Sequence, residues 1–215
     1  MDFDLILRVY PFFLKAALVT IELAVLSISL GLACGALGAY ARLSRTAVLR
    51  FIGATYVSVI RGTPALIQLF ILYFGGPQVG IQLDAFSAGV IGLGINIGAY
   101  MTETMRGAII SVDKGQMEAS RTLGMSRWQT MRKVILPQAA RLMIRPLGVN
   151  INAQIKGTAL VAAISVVELT YTAQRYIGST YKPFEMFFLA GIIYMVIIYG
   201  AGVGVSWLDR RARIN

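Results

Sequence analysis

Long apolar stretches alternate with short basic segments along this chain. Five stretches are long enough to cross the hydrocarbon core of a bilayer, which is about 30 Å thick and needs roughly 20 helical residues. They cover approximately residues 12–40, 55–74, 86–110, 142–165 and 184–208. The pattern predicts an all-α membrane protein with five transmembrane helices, built as a single transmembrane domain over residues 1–215.

The basic residues orient these helices. Most of them lie in the segment 41–54, in the long connection that begins at 111, and at the C-terminus. Because cytoplasmic connections of membrane proteins are enriched in Lys and Arg, these segments are predicted to be cytoplasmic. The N-terminus and the loops near 75–85 and 166–183 then lie outside. Five spans do not divide into two equal halves, so we expect a second subunit to complete any pathway.

The composition agrees with a membrane protein and excludes other classes. Of the 215 residues, 57% are hydrophobic and 14% are charged, whereas soluble domains have about 25% charged residues. A net charge of +10 indicates nucleic-acid binding only where the basic residues form a patch on a folded surface. Here they occupy the connections, so no nucleic-acid partner is expected.

The segment 111–141 predicts a cytoplasmic docking surface. Residues 118–137 read EASRTLGMSRWQTMRKVILP, a pattern typical of two short amphipathic helices joined at Gly124. Ser126 and Gln129 have the spacing of a capping box for the second helix. Pro137 limits how that helix continues into the fourth span. Such an element on an otherwise lipid-bound chain is suited to bind a soluble partner.

Polar residues inside spans are costly, and they mark pathways or packing partners. On the third span Asn96, Tyr100 and Glu103 recur on one face of a helix. Glu103 must therefore contact a polar substrate, or form an ion pair with Arg106 or Arg61. Either contact would offset the free-energy cost of burying a carboxylate.

The fourth span is the most polar, with Asn150, Asn152, Gln154, Lys156 and Thr158. Gln154 and Thr158 share one helical face, and Lys156 lies on another. Exposure of all of them to lipid is implausible, so this helix is predicted to line a cavity or a subunit interface. Lys156 either attracts a substrate carboxylate or neutralises Glu103.

The second span contains RGTPALIQLF, residues 61–70. Pro64 removes a hydrogen bond and is predicted to bend the helix, while Arg61 and Gln68 lie seven residues apart and share a face. Arg61 either belongs to a pathway or extends its side chain to the cytoplasmic boundary.

Three stretches together resemble a known family. RGTPALIQLF is similar to the RGTPxxxQLF signature of histidine- and glutamine-type permeases, and AYMTETMRG resembles the AYxxExxRG stretch of polar amino-acid permeases. The cytoplasmic segment resembles the EAA motif of permease subunits of binding-protein-dependent ABC importers, with Ser where a second Ala is usual. The residues that match this motif or stand within it are Glu118, Ala119, Ser120, Gly124, Leu136 and Pro137.

The resemblance implies an inner-membrane, multi-pass permease of a bacterial importer, with the EAA residues coupled to an ATPase subunit. ATP and Mg would be bound by that ATPase, since this chain has no P-loop. Further partners would be an identical or homologous second permease, an extracytoplasmic binding protein and a polar amino acid. The substrate pathway is expected to include Arg61, Gln68, Asn96, Tyr100, Glu103, Gln154, Lys156 and Thr158.

Two alternatives stay open on the sequence. A permease for another small polar solute, such as an opine, would carry the same coupling loop. An intramembrane enzyme using Glu22 or Glu103 would not need cytosolic docking helices. The chain has no histidine, which excludes Ser-His pairs and HExxH zinc sites. We therefore expect no catalytic residue, no metal and no cofactor in this chain.

Overall fold

Every regular element in residues 2–214, the part that the computed structural model describes, is a helix. Three of the α-helices continue directly into, or out of, a short π or 3-10 turn. In chain order the α-helices are α1 (Phe3–Leu43), α2 (Ala47–Arg61), α3 (Ala65–Phe70), α4 (Ala85–Ile110), α5 (Lys114–Thr122), α6 (Arg127–Thr130), α7 (Leu136–Gly157), α8 (Leu169–Thr180) and α9 (Pro183–Ile214). The π turns are Ile71–Gly75 and Met131–Ile135, and the 3-10 turns are Gly76–Val79 and Thr158–Ile164.

Three to five of these segments are candidate membrane spans. Among the described residues, α1, α4 and α9 are each long and apolar enough to cross a bilayer alone. Two further candidates are bent pairs: Ala47–Arg61 with Ala65–Val79, at 102°, and Arg127–Ile164 with Leu169–Thr180, at 48°. The second predicted span, about 55–74, falls within the first bent pair, which is broken between Arg61 and Ala65.

The bend in this second candidate span follows from Pro64, as expected. Proline lacks an N–H group and disfavours helical geometry in the residue before it. Accordingly α2 ends at Arg61, and Pro64 becomes the N-cap of α3 with an extended backbone. The sequence predicts the bend correctly but underestimates it, because a 102° turn separates two helices rather than kinking one.

Two other predictions need correction. The region 166–183, expected to be a loop, contains the 12-residue helix α8. The second cytoplasmic helix is not short, because α6 passes through the π turn Met131–Ile135 directly into α7. Pro137 sits in the first turn of α7, where its missing N–H group is tolerated, and the π turn precedes it.

The longest helices, α1 and α4, pack closely along a seam of small residues. Gly31, Gly35 and Gly38 of α1 face Ile97, Met101 and Thr102 of α4. A Cβ atom built on Gly35 would lie 2.7 Å from the Met101 Cβ atom, closer than two carbons can approach. These three glycines thus form a packing seam between α1 and α4.

Near its N-terminus α1 packs on another pair of helices. Phe13 of α1, Leu169 of α8 and Met186 of α9 are fully buried in one apolar cluster. A second cluster joins the middle of α1 to α3, α4 and the 3-10 turn after α7 through Leu23, Leu69 and Val161. The long helix α1 therefore serves as the frame against which the two bent segments are held.

Replacing Gly35 by Leu should separate α1 from α4, because the added side chain meets the Met101 backbone and Cβ atom. Overpacking of this kind costs about 1–3 kcal/mol. We expect the thermal unfolding midpoint of the purified chain in detergent to fall by several degrees. Gly191→Leu is the matched control, since a Cβ atom there meets nothing within 4 Å. Equal midpoints for the two variants would show that the seam does not require glycine.

Candidate docking and transport sites

The cytoplasmic element has the predicted helix-glycine-helix form. Gly124 separates α5 from α6 with φ at 74°, a left-handed conformation that glycine adopts without cost. The capping box is confirmed: the Gln129 backbone N–H donates to Ser126 Oγ at 3.3 Å, and the Ser126 N–H donates to Gln129 Oε1 at 2.8 Å. Local hydrogen bonds therefore fix the start of α6.

The base of this element is anchored to the ends of α4 and α7. Val112, Ile135 and Ala139 form a buried apolar cluster there, with Met117 of α5 packed against it. Ser120, a member of the motif set, is also buried, and its hydroxyl donates to the Gln116 carbonyl at 2.7 Å. Ser120 thus acts in packing, and this base connects α5 to the ends of α4 and α7.

The tip of the element is exposed. Glu118, Ala119, Gly124, Leu136 and Pro137 are all accessible, as a docking role requires. Sequence reasoning missed the two most accessible apolar side chains of the tip, Leu123 and Trp128, which are 81% and 68% exposed. The available signal was the presence of large apolar residues in a segment that is otherwise polar and basic.

A polar cluster forms at the break between α2 and α3. The side-chain amide of Gln68 donates to the Ile60 carbonyl at 2.8 Å and to the Thr63 carbonyl at 3.2 Å. Its carbonyl oxygen accepts from Asn96 Nδ2 at 2.9 Å. Gln68 therefore satisfies the backbone of the broken helix and ties it to α4 at the same time.

Arg61 lies beside this break, with its guanidinium carbon 5.0 Å from the centre of the Tyr100 ring. A cation over an aromatic face is a favourable contact, and it leaves N–H groups of the guanidinium open to a further partner. The structure thus brings together four of the predicted pathway residues, Arg61, Gln68, Asn96 and Tyr100, between the bent segment and α4.

Glu103 takes part in ion pairs at the other end of the same helical face. Its carboxylate oxygens accept from Arg42 Nε at 3.2 Å and from Arg106 Nη2 at 2.7 Å. The pair with Arg106 was one of the two expected, and the pair with Arg42 of α1 was missed. Glu103 pairs with neither Arg61 nor Lys156, whose side chains appear in no ion pair among residues 2–212.

The polar residues of the fourth segment mostly bind other helices. Gln154 is 3% exposed and donates to Ser27 Oγ of α1 at 2.8 Å. Asn150 donates to Thr104 Oγ1 of α4 at 2.8 Å. The Thr158 hydroxyl is buried, 3.3 Å from the Tyr194 hydroxyl. In this conformation Gln154 and Thr158 hold helices together and do not face an open cavity, whereas Lys156 is exposed.

A buried carboxylate that the sequence did not single out as functional lies where α8 begins. Glu168 is fully buried and accepts from the Tyr194 hydroxyl at 2.6 Å and from the Tyr171 N–H at 2.8 Å. The Leu169 N–H donates to Thr20 Oγ1 of α1 at 3.3 Å. This network fixes α8 between α1 and α9.

Comparison with known proteins identifies the family. The model of the family "binding-protein-dependent transport system inner membrane component" matches residues 12–214. The chain belongs to this family. Within residues 2–212 no group of His, Cys, Asp and Glu side chains is arranged to hold a metal ion.

Individual relatives are similar over nearly the whole chain. The probable amino-acid ABC transporter permease protein YckA of Bacillus subtilis (strain 168) is 39% identical over 202 residues, 94% of this chain and 89% of that protein. The glutamine transport system permease protein GlnP of Escherichia coli (strain K12) is 35% identical over 215 residues, 99% and 98%. A crystal structure of an amino acid ABC transporter with histidines superposes with a TM-score of 0.92 at 35% identity, covering 98% of this chain and 99% of that one.

Proposed function

We propose that this chain is the membrane-spanning permease subunit of an ATP-driven importer for polar amino acids. The observation that carries the proposal is the exposed helix-glycine-helix element in a chain that belongs to this transporter family. Relatives named as amino-acid permeases support the substrate class. An intramembrane carboxylate enzyme has less support, because Glu103 is held between two arginines.

The proposed topology has five spans within one domain, with the N-terminus outside and the C-terminus in the cytoplasm. The two bent segments then count as the second and fourth spans. The segments 41–54 and 111–141 face the cytoplasm, as the distribution of Lys and Arg favours. The docking tip with Leu123 and Trp128 then faces the compartment in which an ATPase subunit, carrying ATP and Mg, resides.

Coupling follows from the continuity of the helix that begins in the docking element. Residues 127–164 form one uninterrupted helical run, so displacement of its cytoplasmic end moves the whole fourth segment. That segment contacts α9 through the Arg145–Asp209 ion pair, 2.8 Å between Nε and Oδ2, and contacts α4 through Asn150. Closure of paired ATPase subunits would therefore tilt this segment together with its partners.

The cluster at the helix break is the proposed contact for the substrate. Tyr100 precedes Glu103 by three residues on α4, about 5 Å along the helix, so the Arg61 guanidinium beside the Tyr100 ring lies near the depth of Glu103. The Arg61 charge is exposed and takes part in no ion pair among residues 2–212. A substrate carboxylate would supply the missing anion, while Gln68, Asn96 and Tyr100 offer hydrogen bonds.

Five transmembrane helices are too few to enclose a gated pathway, so the chain is proposed to work as one of two membrane subunits. Lys156 is exposed although it lies in the fourth segment, and a facing subunit would enclose it. Gln154 and Thr158 would reach the pathway only when the helices around them separate. An extracytoplasmic binding protein would deliver the substrate to the outer face of the pair.

The central test is uptake by proteoliposomes that contain the chain with its ATPase subunits, its second permease and the binding protein. We expect radiolabelled polar amino acids to enter only when ATP is supplied on the ATPase side. Competition by an opine would identify the alternative solute class. Robust uptake by the chain without any ATPase subunit, driven by an ion or amino-acid gradient, would contradict the proposal.

Gly124→Trp should abolish coupling, measured as loss of both uptake and substrate-stimulated ATP hydrolysis. A Cβ atom on Gly124 meets no atom of the chain within 4 Å, so the added side chain enters the space that a docked partner would occupy. The left-handed backbone, with φ at 74°, also strains any residue that has a Cβ atom, and the control below carries the same strain. Gly124→Asn is the matched control, because Asn tolerates the left-handed backbone and adds little volume. Normal uptake and ATPase stimulation in Gly124→Trp would remove this element from the mechanism.

Arg61→Gln should raise the KM of uptake by about tenfold or more, the scale of one lost hydrogen bond to a charged group. ATPase subunits should still co-purify, since Arg61 is remote from the docking tip. Arg61→Lys keeps the charge but loses the planar contact with Tyr100, and its KM should be intermediate. An unchanged KM in Arg61→Gln would assign this arginine to helix packing alone.

A further inference from the structure

A groove between α1 and α8 combines apolar walls with two cations. It has a volume of about 400 Å³. Phe12, Val19 and Tyr176 contribute apolar surface, and Lys15 of α1 and Arg175 of α8 both line the same space. None of the residues predicted to line the substrate pathway lines this groove.

The two cations are not neutralised by the chain itself. Neither Lys15 nor Arg175 takes part in any ion pair among residues 2–212. The buried carboxylate nearest in sequence to α8, Glu168, is bound to the Tyr194 hydroxyl and to backbone N–H groups. Two basic side chains at one groove create a local positive potential that favours an anion.

The depth of the groove indicates the class of ligand. Lys15 and Arg42 lie on the same continuous helix, 27 residues apart, which corresponds to about 40 Å. A bilayer including its headgroups is about 40–45 Å thick. With Arg42 at the inner boundary, as in the proposed topology on which this step rests, Lys15 lies at the depth of the outer headgroups.

We propose that this groove binds one anionic phospholipid of the outer leaflet. Its phosphate lies between Lys15 and Arg175, and an acyl chain follows Phe12 and Val19. Exposed apolar side chains beside the groove on α1, including Leu14 and Leu18, continue the surface that lipid tails cover. The lipid would brace α8 against α1.

The test is native mass spectrometry of the full chain in detergent, titrated with phosphatidylglycerol and, separately, with phosphatidylcholine of the same acyl chains. We expect one phosphatidylglycerol to bind more tightly than phosphatidylcholine. Lys15→Gln and Arg175→Gln should each weaken it about fivefold, and the double variant about 25-fold, given the attraction of one basic residue to an anionic lipid surface. Arg8→Gln is the matched control, an exposed cation of α1 outside the groove.

Equal affinity for the two lipids, or wild-type affinity in the double variant, would overturn the proposal. A second measurement covers the case in which the double variant does not fold. Phe12→Trp places a fluorophore in the groove of an otherwise native chain, and phosphatidylglycerol with brominated acyl chains should quench it, after subtraction of the signal of the parent chain. Absence of quenching would also overturn the lipid proposal. The same holds if quenching is absent because the chain dimerises through this face.

Neither measurement uses ATP, an ATPase subunit or an amino acid. Failure of lipid binding would therefore leave the importer proposal standing, and failure of ATP-driven uptake would leave the lipid measurements interpretable.

Discussion

The rest of the structure depends on one constraint: a backbone polar group inside a bilayer must find its partner within the protein. The chain breaks its helices at Gly62–Pro64 and again after Ile164, and at both places side chains replace the missing helical hydrogen bonds. At the first break, the Gln68 side chain donates to the Ile60 and Thr63 carbonyls and accepts from Asn96. At the second, Glu168 caps α8 and Thr20 accepts from the Leu169 N–H. At each break, these hydrogen bonds also hold the chain against a neighbouring helix.

This constraint explains why many polar residues of the spans are structural. Gln154 joins α7 to α1 through its hydrogen bond to Ser27. The Glu103 carboxylate forms ion pairs with two arginines, one on α1 and one on α4. A polar side chain whose hydrogen bonds are all made inside the chain offers little to a substrate in this conformation. Arg61 and Lys156 differ, because both charges are exposed and neither takes part in an ion pair among residues 2–212.

The sequence predicts features that depend on neighbouring residues and misses those that depend on distant ones. Hydrophobic length locates α1, α4 and α9, Pro64 marks a bend, and Ser126 with Gln129 marks a helix start, because each signal is local. The Arg42–Glu103 pair spans 61 residues, so no local pattern indicates it. Helix α8 was missed since its polar residues are typical of a loop, and its order comes from burial of Leu169 and Ala173 against α1 and α9.

The π turn Met131–Ile135 has a consequence for how the family can vary. A π turn contains one residue more than the α-helical turn it replaces, and both complete one full turn. Removal of one residue there would therefore restore regular α-helix and leave the docking tip pointing in nearly the same direction, whereas removal of one residue from the regular helix α7 would rotate everything before it by about 100°. The π turn thus lets this segment differ in length by one residue while it presents the same face.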